Sequence, residues 1–140
     1  MIIFGLMLKM SDLYNFLKDI DEDFTPCLSS KVDLELFVEK IQNYAELVVD
    51  ETVILRGLVV LYCNDFSNYK AYISLVGIRR EFRGMGIARR LMIKAIQKAK
   101  DNGMKIIGIH SNNVIALNLY KSLGFVTKEF GEREYLELKL

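Results

Sequence analysis

Residues 76–88 constrain the fold more than any other stretch of the chain. They read Val76-Gly77-Ile78-Arg79-Arg80-Glu81-Phe82-Arg83-Gly84-Met85-Gly86-Ile87-Ala88, a β-branched strand that passes through a glycine-bearing turn into an amphipathic helix. Gly84 and Gly86 lack Cβ atoms where main-chain amides would have to approach an anion closely. The helix behind them aims its unpaired N–H groups and the positive end of its dipole at the same point. A pyrophosphate suits such a site, and Arg79, Arg80, Arg83, Arg89 and Arg90 add positive charge around it. A dinucleotide fingerprint would require a third glycine where Arg89 stands, and no Gly-Lys-Ser/Thr run supports a P-loop. On its own, the turn fits equally well a plain strand-to-helix connection with solvated arginines.

The remaining patterns build a sheet around this turn. Ser11 is expected to cap a helix running to about Ile20, with Leu13, Phe16, Leu17 and Ile20 at helical spacing. Residues 21–30 hold three acids, Pro26 and two serines, and read as a loop. A second helix follows from about Asp33, with Leu34, Phe37, Val38 and Ile41 on one side. Residues 45–49 and 52–62 then read as strands joined by a tight acidic turn, and 64–68 as a turn into a strand over 69–78. The helix after the glycines carries an apolar stripe of Ala88, Leu91, Met92, Ala95, Ile96 and Ala99, and Asn102-Gly103 ends it. Residues 105–109 form a short strand, Asn112 or Asn113 caps a helix through Leu123, and Gly124 suits the left-handed position that ends it. The tail alternates like a hairpin over 125–130 and 134–140. Strands followed by alternating helices and strands give one mixed α/β domain, with a parallel crossover from the third strand to the fourth.

Nineteen Lys and Arg against eighteen Asp and Glu leave a net charge of +1, which argues against a nucleic-acid partner. One histidine and two scattered cysteines argue against a closed metal site and a disulfide scaffold. The apolar start, residues 1–8, lacks a basic leader and falls short of the ~20 residues that span a bilayer. It is expected to be an edge strand or a packed segment, in a cytoplasmic protein with no membrane partner.

A second motif decides between the readings of the turn. Residues 113–125 run Asn113-Val-Ile-Ala116-Leu-Asn118-Leu-Tyr120-Lys-Ser-Leu-Gly124-Phe125, which resembles the signature Asn-x-x-Ala-x-x-x-Tyr-x-x-x-Gly-Phe of the GNAT (Gcn5-related N-acetyltransferase) superfamily. Residues 83–88 likewise resemble that superfamily's pyrophosphate loop, Arg/Gln-x-x-Gly-x-Gly/Ala, and the two stand in the family's order and spacing. The resemblance implies a single GNAT domain over 1–140, with an acetyl-CoA-binding core over about 69–130. It also implies a mostly antiparallel sheet whose central parallel strands splay apart.

By the same resemblance, the cofactor site comprises Val76, Gly77 and Ile78 on the open strand edge, with Gly77 suited to a bulge or close approach. Arg83, Gly84, Met85, Gly86, Ile87, Ala88 and Arg89 follow in the turn, then Asn113, Asn118 and Tyr120 on the later helix. The implied reaction is transfer of acetyl from acetyl-CoA to a small-molecule or peptide amine, with no metal. The Ile78 amide would stabilise the oxyanion and Tyr120 would be the general acid. Many members that acetylate protein N-termini carry a glutamate base where this chain has Gly108. Either the acceptor then arrives neutral or another group takes its proton; His110 is the first candidate, equally readable as a strand-end histidine bonded to solvent or backbone, ahead of Tyr62, Asp65 and Glu81. Asp21, Glu22 and Asp23 fit either a patch that attracts a cationic amine or a simply solvated acidic loop, and Tyr14, Tyr44, Tyr62 and Tyr72 fit either stacking on a sugar or aromatic acceptor or a place in the core. Two other readings stay open: a CoA-binding regulatory domain without turnover, and O-acetylation of a sugar hydroxyl. A homodimer through an edge strand is compatible with the element order.

Overall fold

The computed structural model describes residues 8–140, so the role expected of the first eight residues lies outside that range except at Leu8, which is buried. The elements run α1 (Met10–Ile20), α2 (Leu34–Tyr44), β1 (Glu46–Glu51), β2 (Leu55–Asp65), β3 (Lys70–Ile78), α3 (Ile87–Asp101), β4 (Ile106–Ser111), α4 (Val114–Ser122), β5 (Val126–Glu129) and β6 (Glu134–Lys139). The six strands form one sheet in the order β1-β2-β3-β4-β6-β5. Only β3 and β4 are parallel; the other neighbours are antiparallel. This is the mixed sheet that the element order and the family resemblance led to.

The helices cover both faces. Leu13, Phe16, Leu17 and Ile20 of α1 and Val38 and Ile41 of α2 bury against Val49, Leu58, Val60 and Leu75. On the other face α3 and α4 bury Val59, Leu61, Ile73, Ile107 and Ile109. The stripe of α3 starts with Ile87, followed by Leu91, Met92, Ala95 and Ala99; Ala88 sits half-buried at its edge. Helix α1 begins one residue before Ser11, with Lys9 as its uncapped N-cap. The Lys9 carbonyl takes the N–H groups of Asp12 and Leu13, and burial of Leu8, held by Gln42 Nε2 at 3.2 Å, draws the start upstream. Asp33 does cap α2, its Oδ1 accepting the Leu36 N–H at 3.1 Å.

Two strand boundaries differ from the sequence reading for identifiable reasons. The β1–β2 turn is Thr52–Ile54 rather than the acidic pair before it, because Arg56 reaches across the hairpin to Asp50 at 2.6 Å and keeps it in the strand. Strand β3 starts at Lys70, since Tyr69 takes a left-handed backbone (φ 52°).

The feature that matters for function is where β3 and β4 part. They pair over only four residues each, from Lys70↔Ile106 to Ile73↔Ile109. Beyond that, β3 continues to Ile78 on β2 alone, and β4 continues to Ser111 on β6 alone. A bulge coincides with the parting: Val60 pairs with Leu75 and Leu61 with Ile73, leaving Ser74 as the extra residue. Of the bulge or close approach that Gly77 suits, the bulge therefore lies three residues earlier. Gly77 pairs in register with Leu58, and a Cβ there would sit 2.4 Å from Ile20 Cδ1. Its bareness lets α1 close on the sheet.

Candidate active site

The parted strands open a cleft of about 1030 Å³. Eleven of the expected cofactor residues line it, namely Val76, Gly77, Ile78, Arg83, Gly84, Gly86, Ile87, Ala88, Arg89, Asn113 and Tyr120, together with His110. Met85 and Asn118 do not; their side chains are exposed outside it.

Backbone polarity along β3 follows from one hydrogen bond. The Arg79 N–H is spent on the Arg56 carbonyl of the neighbouring strand at 2.8 Å. In an antiparallel pair, bonding alternates residue by residue, so the polar groups of Gly77 also turn to β2. Those of Val76 and Ile78 turn the other way, into the cleft. The Ile78 carbonyl there accepts from Arg83 Nε at 3.2 Å, while its N–H stays open. A row of unpaired main-chain groups in a protected gap is an edge that an extended amide-containing arm can pair with.

The row ends at the glycine turn. Gly84 and Gly86 both take left-handed backbones (φ 78° and 75°). The first helical donor of α3 is Arg90, bonded to the Gly86 carbonyl at 3.1 Å, and no side chain caps the helix. The amides ahead of Arg90 thus remain free at the positive end of a 15-residue helix. Nothing lies within 4 Å of where a Gly84 Cβ would be, and at Gly86 only Arg90 Nη1 is near, at 3.3 Å. An open cradle of free amides fits a diphosphate.

The five arginines divide. Arg79 is largely buried, paired with Asp19 and donating to the Leu55 carbonyl, so it braces α1 against β2. Arg90 holds the Met85 carbonyl at 2.9 Å, stiffening the turn. Arg80 and Arg83 both pair with Asp23. Of the five, only Arg83 and Arg89 line the cleft, and Arg89 also reaches Ser122 Oγ at 2.8 Å.

Helix α4 supplies the far wall. Asn113 is its N-cap, with Oδ1 accepting the Ala116 N–H at 3.0 Å, so its side-chain oxygen shapes the helix start. Two turns on, Tyr120 is 4% exposed, its ring 6.0 Å from that of Phe125. No described residue hydrogen-bonds its hydroxyl. Burial pushes its pKa up to about 12, which keeps the phenol protonated at any ordinary pH.

Across the cleft, the Tyr72 hydroxyl lies 2.7 Å from His110 Nδ1, and the imidazole packs 4.7 Å from the ring of Tyr135. Burial, and then the charge of Arg133, hold the His110 pKa below its ordinary value, so the ring is neutral near pH 7. The weaker base candidates are elsewhere. Tyr62 packs against the α1–α2 core, Asp65 ties the β2–β3 turn through Asn68, and Glu81 is exposed outside the cleft. Tyr44 points to solvent and Tyr14 rests on the core. Among the described residues, no three His, Cys, Asp or Glu side chains are grouped to hold a metal ion. None of the described helices is long and apolar enough to cross a membrane.

Gly108 has a structural explanation that the sequence did not show. A Cβ there would sit 2.5 Å from Tyr135 Oη and 2.9 Å from its Cε1. Tyr135 donates to Glu137 Oε2 at 2.7 Å, and Lys70 bridges to Glu137 at 2.9 Å while lying over the Tyr135 ring. The space that a glutamate would fill thus belongs to a tyrosine fixed by two partners. Gly108→Glu is expected to cost about 1–3 kcal/mol of stability by displacing that ring, read by denaturant titration, and not to raise turnover.

Known proteins match this arrangement. The model of the acetyltransferase (GNAT) family covers residues 12–125. The chain is 49% identical over 57 residues to the chloroplastic GCN5-related N-acetyltransferase 4 of Arabidopsis thaliana, covering 39% of this chain and 20% of the relative. It is 26% identical over 129 residues to N-alpha-acetyltransferase 30 of Schizosaccharomyces pombe, covering 88% and 86%. A Bacillus anthracis protein described as a streptothricin acetyltransferase, solved with acetyl coenzyme A, superposes with a TM-score of 0.59 at 26% identity, over 69% of this chain and 63% of that one. The chain spans between a fifth and about a third of the length of the first curated relatives it matches. A family match over most of the chain, on a sheet that parts where both motifs meet, means that this protein belongs to the GNAT acetyltransferase family.

Proposed function

We propose that the chain is an acetyl-CoA-dependent N-acetyltransferase acting on a primary amine of a small molecule or peptide by direct attack on the thioester. The observation that carries this reading is the continuous run of free main-chain groups from Val76 and Ile78 into the amides before Arg90, with Tyr120 on the opposite wall. The amides before Arg90 hold the diphosphate, Val76 pairs with the pantetheine arm, and the Ile78 N–H is directed at the thioester oxygen as it gains charge.

The acceptor arrives as an ammonium and must lose a proton before it attacks. His110 takes that proton at Nε2 when its Nδ1 carries the hydrogen and donates to the Tyr72 oxygen. The amine nitrogen then bonds to the carbonyl carbon, the carbon–sulfur bond breaks, and the amine's remaining excess proton leaves with the sulfur as CoA thiol. Tyr120 donates a hydrogen bond to that sulfur as it departs.

Incubation with acetyl-CoA and a panel of amines is expected to release CoA thiol and yield acetylated amine by mass spectrometry. Saturable CoA binding without acetyl transfer to any amine would instead make this a binding domain. The base assignment has its own signature. A base works deprotonated, so turnover should fall as pH drops through the depressed His110 pKa, below about 6.5, once the amine's own ionisation is divided out. His110→Ala should remove that limb and slow turnover about 10²-fold; an unchanged limb in the variant removes His110 from the reaction.

A further inference from the structure

Of the two readings of the acidic run at residues 21–23, attraction of a cationic amine finds no free side chain in the cleft. Asp21 is committed to the backbone and hydroxyl of Ser29, and Glu22 is exposed outside the cleft. Among the described residues, Asp23 is the only carboxylate lining the cleft, and Arg80 and Arg83 both pair with it. Among the described residues, no unpaired carboxylate lines the cleft.

Two unpaired cations do. Lys31, in the connection between α1 and α2, and Arg133, in the turn between β5 and β6, both line the cleft. Neither has an ion-pair partner among the described residues, and residues 1–7 contain no carboxylate side chain. The β5–β6 turn sits beside the end of β4, because Ser111 pairs with Glu134 and His110 with Tyr135. The α1–α2 connection is tied to the same end by Asn112 Nδ2, which donates to the Thr25 carbonyl at 3.1 Å. Arg133 is close enough to His110 to act on its charge. Arg133 therefore stands with the candidate base and Lys31 lines the same cleft from the α1–α2 connection, whereas Arg83 and Arg89 belong to the glycine turn and α3. Glu129 also acts on His110 but does not line the cleft. Among the described lining residues, the unpaired cations Lys31 and Arg133 thus stand against a single carboxylate, Asp23, that is already paired, a wall that disfavours polyamines and lysine-rich peptides. A carboxylate would satisfy it, Arg133 offering the planar fork that binds one in two-point fashion.

Resting on the transferase reading above, we propose that the acceptor is a small amine bearing a free carboxylate, such as an α-amino acid, gripped by Lys31 and Arg133 while its nitrogen faces His110. The test compares matched acceptors: several α-amino acids, each with its primary amide and its decarboxylated amine, and spermidine as a cationic competitor. The free acids should exceed their amides by about 10- to 100-fold in kcat/KM, chiefly through acceptor KM. Arg133→Glu should erase or invert that preference, and Lys31→Ala should weaken it, with the KM for acetyl-CoA and the melting temperature unmoved. Equal turnover of acid and amide, or a preference for spermidine, overturns the proposal and leaves the transferase standing. Absence of transfer to every amine despite CoA binding defeats the transferase reading, and this inference with it.

Discussion

Tyr120→Phe should lower kcat by about 10²-fold or more, while leaving acetyl-CoA affinity and folding stability almost unchanged. The substitution deletes one oxygen that bonds to no described residue and keeps the ring against Phe125. No buried partner is orphaned, so the stability change should stay within about 0.5 kcal/mol. The catalytic loss depends on how the phenol acts. With its pKa near 12 and a free thiol near ~8.5, complete transfer to the leaving sulfur would be uphill by roughly 5 kcal/mol. The burial that raises the phenol also disfavours a bare thiolate beside it, which narrows the gap. Tyr120 is therefore best placed as a hydrogen-bond donor to a sulfur that is losing its carbon, with the balancing proton originating on the amine. Because the phenol ionises so late, kcat should show no loss assignable to Tyr120 up to about pH 10. Steady-state thiol release across pH, wild type against Tyr120→Phe, decides the matter. A variant as fast as wild type removes the acid from the mechanism, whatever its position on the wall.

What could be read from the sequence was what local pattern encodes. The glycine turn and the α4 motif are contiguous strings, and the backbone they specify is there, left-handed at Gly84 and Gly86 and capped at Asn113. The parting of β3 and β4 was legible only through the family resemblance, since nothing local in 70–78 says where parallel pairing stops. In the sequence, Gly77, the residue without a side chain, suits a bulge or a close approach equally. The bulge occurs at Ser74, and the close approach at Gly77 is that of Ile20. The arginines show the same limit: five cations in sequence became two at the cleft, because Asp19 and Asp23, about 60 residues away, claim three of them, one of which also lines the wall, while Arg90 turns back on its own loop. The acceptor end was least legible. Tyr135 over Gly108, Arg133 beside His110, and Lys31 in the wall of the same cleft meet only through strand register and loop closure, which no window of sequence contains.

Gly86→Val should raise the dissociation constant for CoA about 10²-fold or more, the larger binding effect of any single change in the turn. A β-branched residue at φ 75° meets its own carbonyl, a cost of roughly 1–2 kcal/mol, and its Cβ would approach Arg90 Nη1 at 3.3 Å. The chain relieves both by rotating the turn, which swings the amides before Arg90 off their common target. Each amide lost from a phosphate oxygen is worth about 1.5–3 kcal/mol, so two misdirected amides already exceed the strain itself. Gly103→Ala provides the control. It imposes the same kind of strain (φ 79°) in open space at the opposite end of α3, so it should lower the melting temperature and leave CoA affinity intact. Calorimetric titration of the three proteins with CoA separates a cradle from a generally weakened helix. If Gly86→Val binds CoA as tightly as the wild type, the diphosphate is not held at this turn. If Gly103→Ala loses as much affinity as Gly86→Val, the effect belongs to the helix and not to the amides at its mouth.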